Sequence, residues 1–218
     1  MKPLLLLKNI RFYVLFFSLS LSVFIFLFFK THPDPNYPFE HNLTHTYALI
    51  AASFLYLALL IGPFCYNFKT KFNSRIIKAR RAIGVSAFYF ASLHLYFAFF
   101  KVLGGFMGLF SSEIKVIIAV ALSFTAYIIL FFMASTSFDF MIKLMTFKRW
   151  KLLHRLVYIG GTFILIHSLL IGEHLQNWNW ISITFAVLIS FLLFLEGKRI
   201  FSNFTTLNSK EKKAKEEQ

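Results

Sequence analysis

Cysteine is all but missing from this chain: Cys65 stands alone among 218 residues. One thiol excludes an intramolecular disulfide, a Cys-x-x-Cys-His attachment, an iron–sulfur cluster held by four thiolates and a thiolate zinc centre. Acidic residues are also scarce, nine Asp and Glu against 23 Lys and Arg, for a net charge of +14. The basic excess lies between apolar segments instead of along one face. That placement argues against nucleic-acid binding and assigns the charge to membrane topology. No glycine-rich phosphate-binding fingerprint follows a strand, and there is no room for a separate soluble domain to carry one.

What the chain has in quantity is apolar residues, 58% of the total, with 20% aromatic. Those shares exceed those of a soluble domain and indicate an integral membrane protein. Six apolar segments run from Arg11 to Phe29, Thr46 to Tyr66, Ile83 to Leu103, Lys115 to Met133, Leu152 to Gly172 and Trp180 to Leu195. Each is near the roughly 20 residues that a helix needs to cross hydrocarbon, and lipid leaves unpaired backbone no alternative to the helix. The expected fold class is therefore all-α, a six-helix membrane bundle over residues 9–202 with a charged tail at 203–218.

Loop charge sets the expected orientation. Lys69, Lys71, Arg75, Lys78, Arg80 and Arg81 crowd the second connection, and Lys143, Lys148, Arg149 and Lys151 the fourth. Both belong in the cytoplasm by the positive-inside rule, which places both termini there in a multi-pass cell-membrane protein. The first segment follows Met1, Lys2 and Lys8 but is long and lacks a small-residue cleavage site, so it is expected to be retained. Pro33, Pro35 and Pro38 make the first outer connection irregular.

Three histidines fall inside the apolar segments, where an ionisable side chain is costly and marks function by default. His94 lies seven residues before Lys101, and His167 six before Glu173. Both count to about 10 Å below the outer boundary, on helices that run the same way. Neutral imidazole is a common axial ligand of haem iron and adds no charge to lipid, so the level pair points to noncovalent haem and to electron transfer. His154, thirteen residues before His167, sits about 20 Å deeper toward the cytoplasm and suits a second, inner site. The bland reading is that each histidine merely hydrogen-bonds between helices. Gly160 and Gly161 suit either a kink with close approach of a flat cofactor, or close helix packing. Arg80, Arg81 and Arg155 face the inner side, where guanidinium pairs with haem propionate, flavin phosphate or lipid phosphate, or serves topology alone. His32, His41, His45 and His174 belong to the outer connections, where solvated histidine is ordinary; the spacing of His41 and His45 would also let them share a helical face.

Several of these residues stand in a recognisable pattern: Arg80-Arg81-x-x-Gly84, Leu93-His94-Leu95, Thr136-Ser137, Trp150-x-x-Leu153-His154-Arg155-x-Val157-Tyr158 and His167. Over most of its length the chain resembles the ferric-reductase-like transmembrane domain family, in particular the haem-binding membrane subunits of periplasmic methionine-sulfoxide reductase systems. The resemblance implies a six-helix haem b protein with ligands at His94, His154 and His167. It also implies electrons from a cytoplasmic flavin reductase or the quinol pool, a periplasmic molybdoenzyme-type acceptor, and FMN or quinone as further cofactors. A terminal ferric or other metal reductase, acting directly at the outer face, is the alternative.

The chain departs from the family at Thr46-Tyr47, where Thr-Gly is usual, and at Gly62-Pro63, where Thr-Pro is usual; the glycine before Trp150 is also missing. Larger relatives carry a second histidine on the third helix where Arg81 stands. A bis-histidine inner haem is therefore not encoded in that form, and His154 is left with a haem of another sixth ligand, a quinone or a flavin.

Overall fold

The computed structural model describes residues 10–172 and 179–216, with side chains through residue 205. Among the described residues there are helices and no strand. The order is α1 (Ile10–Thr31), α2 (Phe39–Asn67), α3 (Asn73–Leu95) continued by a π-helical segment (Tyr96–Val102), and the short α4 (Gly105–Phe110). There follow α5 (Ile114–Ser135), α6 (Asp139–Met145), α7 (Phe147–Arg155), α8 (Val157–Ile171) and α9 (Trp180–Glu216). Six spans are long and apolar enough to cross a membrane, α7 and α8 together forming the fifth. The chain is a multi-pass membrane protein.

Helices outrun the apolar segments wherever polar residues stand at their ends. Pro38 has no N–H to donate and fixes its own φ, so α2 starts directly after it at Phe39 and takes in Glu40, His41 and His45. Arg75, Lys78, Arg80 and Arg81 lie on the first turns of α3, which leaves a connection of only Phe68 to Phe72. Hydropathy detects the slab of lipid, whereas a helix continues through the interface as long as its backbone bonds are made. At its other end, α9 runs unbroken past the apolar span that closes at Thr205.

Packing centres on two helix pairs, α2 with α3 and α5 with α8, while α1 leans on α3 and α9 on α2. Leu55, Leu59, Ala87, Leu130, Val157 and Leu192 form the central buried cluster. Lipid removes the hydrophobic drive between helices, so close fit and hydrogen bonds supply the specificity. Ser18 donates to Ser86 Oγ at 2.7 Å, Ser22 pairs with Tyr89 at 2.7 Å, and Tyr47 donates to the Ser22 carbonyl at 3.1 Å. Most of the phenylalanines of α1, Phe16, Phe17 and Phe24 among them, are exposed and face lipid.

Candidate functional site

α3 carries His94 and α8 carries His167, and the bundle brings the two rings together with centres 6.4 Å apart and planes at 79°. Each ring is held from a neighbouring helix. His94 Nδ1 donates to the Thr44 carbonyl of α2 at 3.0 Å, and His167 Nδ1 donates to the Ala119 carbonyl of α5 at 2.9 Å. A carbonyl only accepts, so the proton sits on Nδ1 and the lone pair on Nε2, the tautomer a metal needs.

Both rings border a cavity of about 370 Å³ between α2, α3, α5 and α8, within the usual range for a cofactor or ligand site. Its walls are built largely from small side chains, Ala48, Ala51, Ala52, Ala87, Ala91 and Ala98. The π-helical segment directly after His94 contributes as well: Leu103 N–H reaches back to the Ala98 carbonyl at 2.8 Å. That widened turn lets Ala98, Phe99, Val102 and Leu103 all border the cavity. Two metal–nitrogen bonds of about 2 Å, set end to end with the imidazole rings, need roughly 6 Å between ring centres. The observed separation, the tautomers and the alanine walls all fit a flat macrocycle with an iron between the two histidines.

His154 is placed elsewhere. It lies on α7, does not border that cavity, and donates Nδ1 to the Trp150 carbonyl one turn back at 3.1 Å. Its ring packs 4.1 Å from the Trp150 ring, and its Nε2 is buried with no hydrogen-bond partner among the described residues. The break in the fifth span falls at Leu156 and not at the glycine pair. Gly160 and Gly161 are packing residues: a Cβ there would stand 3.5 Å from Ile129 Cγ2 and 3.4 Å from Leu59 Cδ1. Tyr56 also donates to the Gly161 carbonyl at 3.2 Å.

The three arginines diverge. Arg80 donates Nε to the Ala58 carbonyl at 2.8 Å. Its guanidinium meets that of Arg199 over Gly62, where a Cβ would be 3.3 Å from Arg80 Nη1 and 3.6 Å from Arg199 Nη1. The missing Cβ at Gly62 leaves this space. Arg199 pairs with Glu196, which also accepts from Tyr158 at 3.2 Å. Arg81 bonds Asp139 at 2.5 Å, and Arg11 reaches the same carboxylate at 3.1 Å. The two guanidinium groups, Arg81 first, hold the Asp139 carboxyl below the usual carboxylate range. Arg155 is exposed. Of the outer histidines, His41 and His45 are on α2 and border the cavity, His32 stacks on Phe28 at 5.0 Å, and His174 lies outside the described residues. Glu196 and Arg199 are readable in the sequence as an i, i+3 charge pair, but their link to Tyr158, 38 residues from Glu196, carries no sequence signal. The alanine walls were legible only as small residues three and four apart on α2 and α3.

Residues 46–166, which run from α2 into α8, contain His94 and end one residue before His167, match the family model for the ferric reductase like transmembrane component. The chain belongs to that family. Over 201 residues, 87% of this chain and 84% of the relative, it is 28% identical to a protein-methionine-sulfoxide reductase heme-binding subunit MsrQ of Polaromonas naphthalenivorans. The protein of the same name in Brucella anthropi is 30% identical over 73% of this chain and 67% of its own length. That of Brucella ovis has the same identity and coverage. No solved structure matches the chain.

Proposed function

We propose that this family member is a haem b-binding electron-transfer subunit of the inner membrane, with His94 and His167 as the axial ligands. It takes electrons from a cytoplasmic flavin reductase or the quinol pool and delivers them to an extracytoplasmic oxidoreductase; the relatives' names suggest a methionine-sulfoxide reductase, and the family resemblance implies one of the molybdoenzyme type. The observation that carries the reading is the pair of imidazoles 6.4 Å apart, each with Nδ1 committed to a carbonyl. Bound haem supplies one-electron chemistry at its iron. The chain's own residues supply the rest. Thr44 and Ala119 fix the ring orientations, and the alanines admit a flat group between helices. On the inner side, the buried His154 Nε2 supports a second cofactor position, to which a haem with another sixth ligand, FMN or a quinone would each bring a partner. Arg80, Arg81 and Arg155 supply positive charge on that side. Both termini are cytoplasmic, with residues 203–218 as a charged tail to the 9–202 bundle.

A direct metal reductase is the second reading, favoured by His41 and His45 at the cavity's border, where a small acceptor would meet the site from outside. Proteoliposomes with the reducing system sealed inside separate the two. Oxidation of the haem by an added periplasmic molybdoenzyme, with little reduction of ferric chelate, supports the subunit reading. Rapid reduction of ferric chelate without a partner protein supports the reductase, and haem that neither acceptor oxidises rejects both.

A further inference from the structure

A second pair of imidazoles meets at the start of α2. His41 and His45 are one helical turn apart and present their rings on one face. Their Nε2 atoms approach to 3.2 Å, with ring centres 4.3 Å apart and tilted by 40°. The Tyr37 ring lies parallel to His41 at 4.9 Å, which fixes that imidazole from the solvent side. At this distance the two Nε2 atoms cannot both carry protons, so at least one lone pair is directed into the gap and one N–H at most donates to the other ring.

We propose that His41 and His45 form a two-imidazole site for a late first-row divalent cation, with Cu²⁺ preferred, on the outer border of the cavity. Two metal–nitrogen bonds of about 2.1 Å, meeting at roughly 100°, place their nitrogens about 3.2 Å apart, the separation already present here. Imidazole suits copper, nickel and zinc, and the stability order for a fixed nitrogen set puts Cu²⁺ first. The surroundings favour a cation. Asp34 and Glu40 lie in the same outer stretch, residues 31–68 contain neither Lys nor Arg, and Glu40 in the first turn opposes the positive end of the helix dipole. Both histidines are half-buried. Binding through both Nε2 atoms shifts the donor ring's proton from its Nε2 to its Nδ1, so both imidazoles stay neutral and no electron transfer is needed. The inference rests on the pair's own geometry and is independent of what His94 and His167 hold.

Full-length protein, purified with its haem and without a polyhistidine tag, would be stripped with chelator, titrated with Cu²⁺ and desalted. Copper per chain and its electron paramagnetic resonance spectrum would then be recorded beside the haem absorbance. The expected result is about one tightly held Cu²⁺ with nitrogen hyperfine splitting, and an affinity lowered about tenfold or more in His41→Ala and in His45→Ala. Haem absorbance, recorded in each variant, separates loss of copper from damage to the cavity that both residues border. No bound copper in the wild type, or equal copper in wild type and variants, overturns the site. Should His45→Ala also lose haem, the outermost His41→Ala decides alone: unchanged copper affinity there rejects the proposal and a tenfold loss sustains it.

Discussion

In the orientation proposed above, the outer and inner halves of the bundle hold histidine in opposite ways. In the outer half, His94 and His167 each reach across to a carbonyl on another helix, and the space between them is walled by alanine. In the inner half, His154 bonds the carbonyl one turn back on its own helix and rests on Trp150, while the polar neighbours are charged and paired with one another. A ring fixed between helices is aimed by the tertiary fold and keeps its direction when a ligand binds. One fixed by its own turn follows the local helix. The difference supports the proposal that the outer half is preorganised for a flat cofactor, and the charged groups of the inner half form a polar junction tying α2, α3, α8 and α9 together.

The sharpest break of this contrast is removal of an outer ligand. His94→Ala or His167→Ala should lower haem affinity about 10- to 100-fold, read from the reduced-minus-oxidised absorbance per chain, with helical content retained. His154→Ala should leave the outer haem signal in place. Filling the cavity tests its shape without touching a ligand: Ala91→Phe should cut haem loading several-fold at unchanged helicity, because a ring there would take up space that the macrocycle needs. Equal loading would mean that the macrocycle lies elsewhere.

For the inner half the expected effect is on stability, not on haem. Glu196 is 16% exposed and bonded to both Arg199 and Tyr158. Arg199→Ala leaves that carboxylate without its cation and should cost about 1–3 kcal/mol in thermal or denaturant unfolding in detergent, less than a fully buried pair would. The smallest effect is at Asp139. Its folded pKa is depressed by Arg81 and Arg11, so its contribution is present above the unfolded carboxylate pKa and fades as pH falls through the folded value. The carboxylate is 66% exposed, so Asp139→Asn should change stability by less than about 1 kcal/mol, and high salt should erase the difference.

Much of the architecture was legible because lipid imposes one rule, that long apolar runs become helices, and the chain obeys it six times. Helix ends were not, since Glu40, His41, Arg75 and Lys78 are helical in the interface where hydropathy is silent. Counting residues placed His94 and His167 at one depth, and the folded chain brings their rings side by side. The same counting assigned a kink or cofactor contact to Gly160 and Gly161 as one option, but a glycine's neighbours are long-range, and here they are Ile129 and Leu59. The carbonyls of Thr44 and Ala119 left no trace in the sequence, because every residue has one and only the fold chooses which is aimed at an imidazole.

The most direct test of the central claim is the dithionite-reduced absorption spectrum of detergent-purified His94→Ala protein, recorded beside wild type and His154→Ala with haem quantified per chain. The account predicts a b-type spectrum in wild type and His154→Ala and loss of the outer haem in His94→Ala. Full haem in His94→Ala would contradict it.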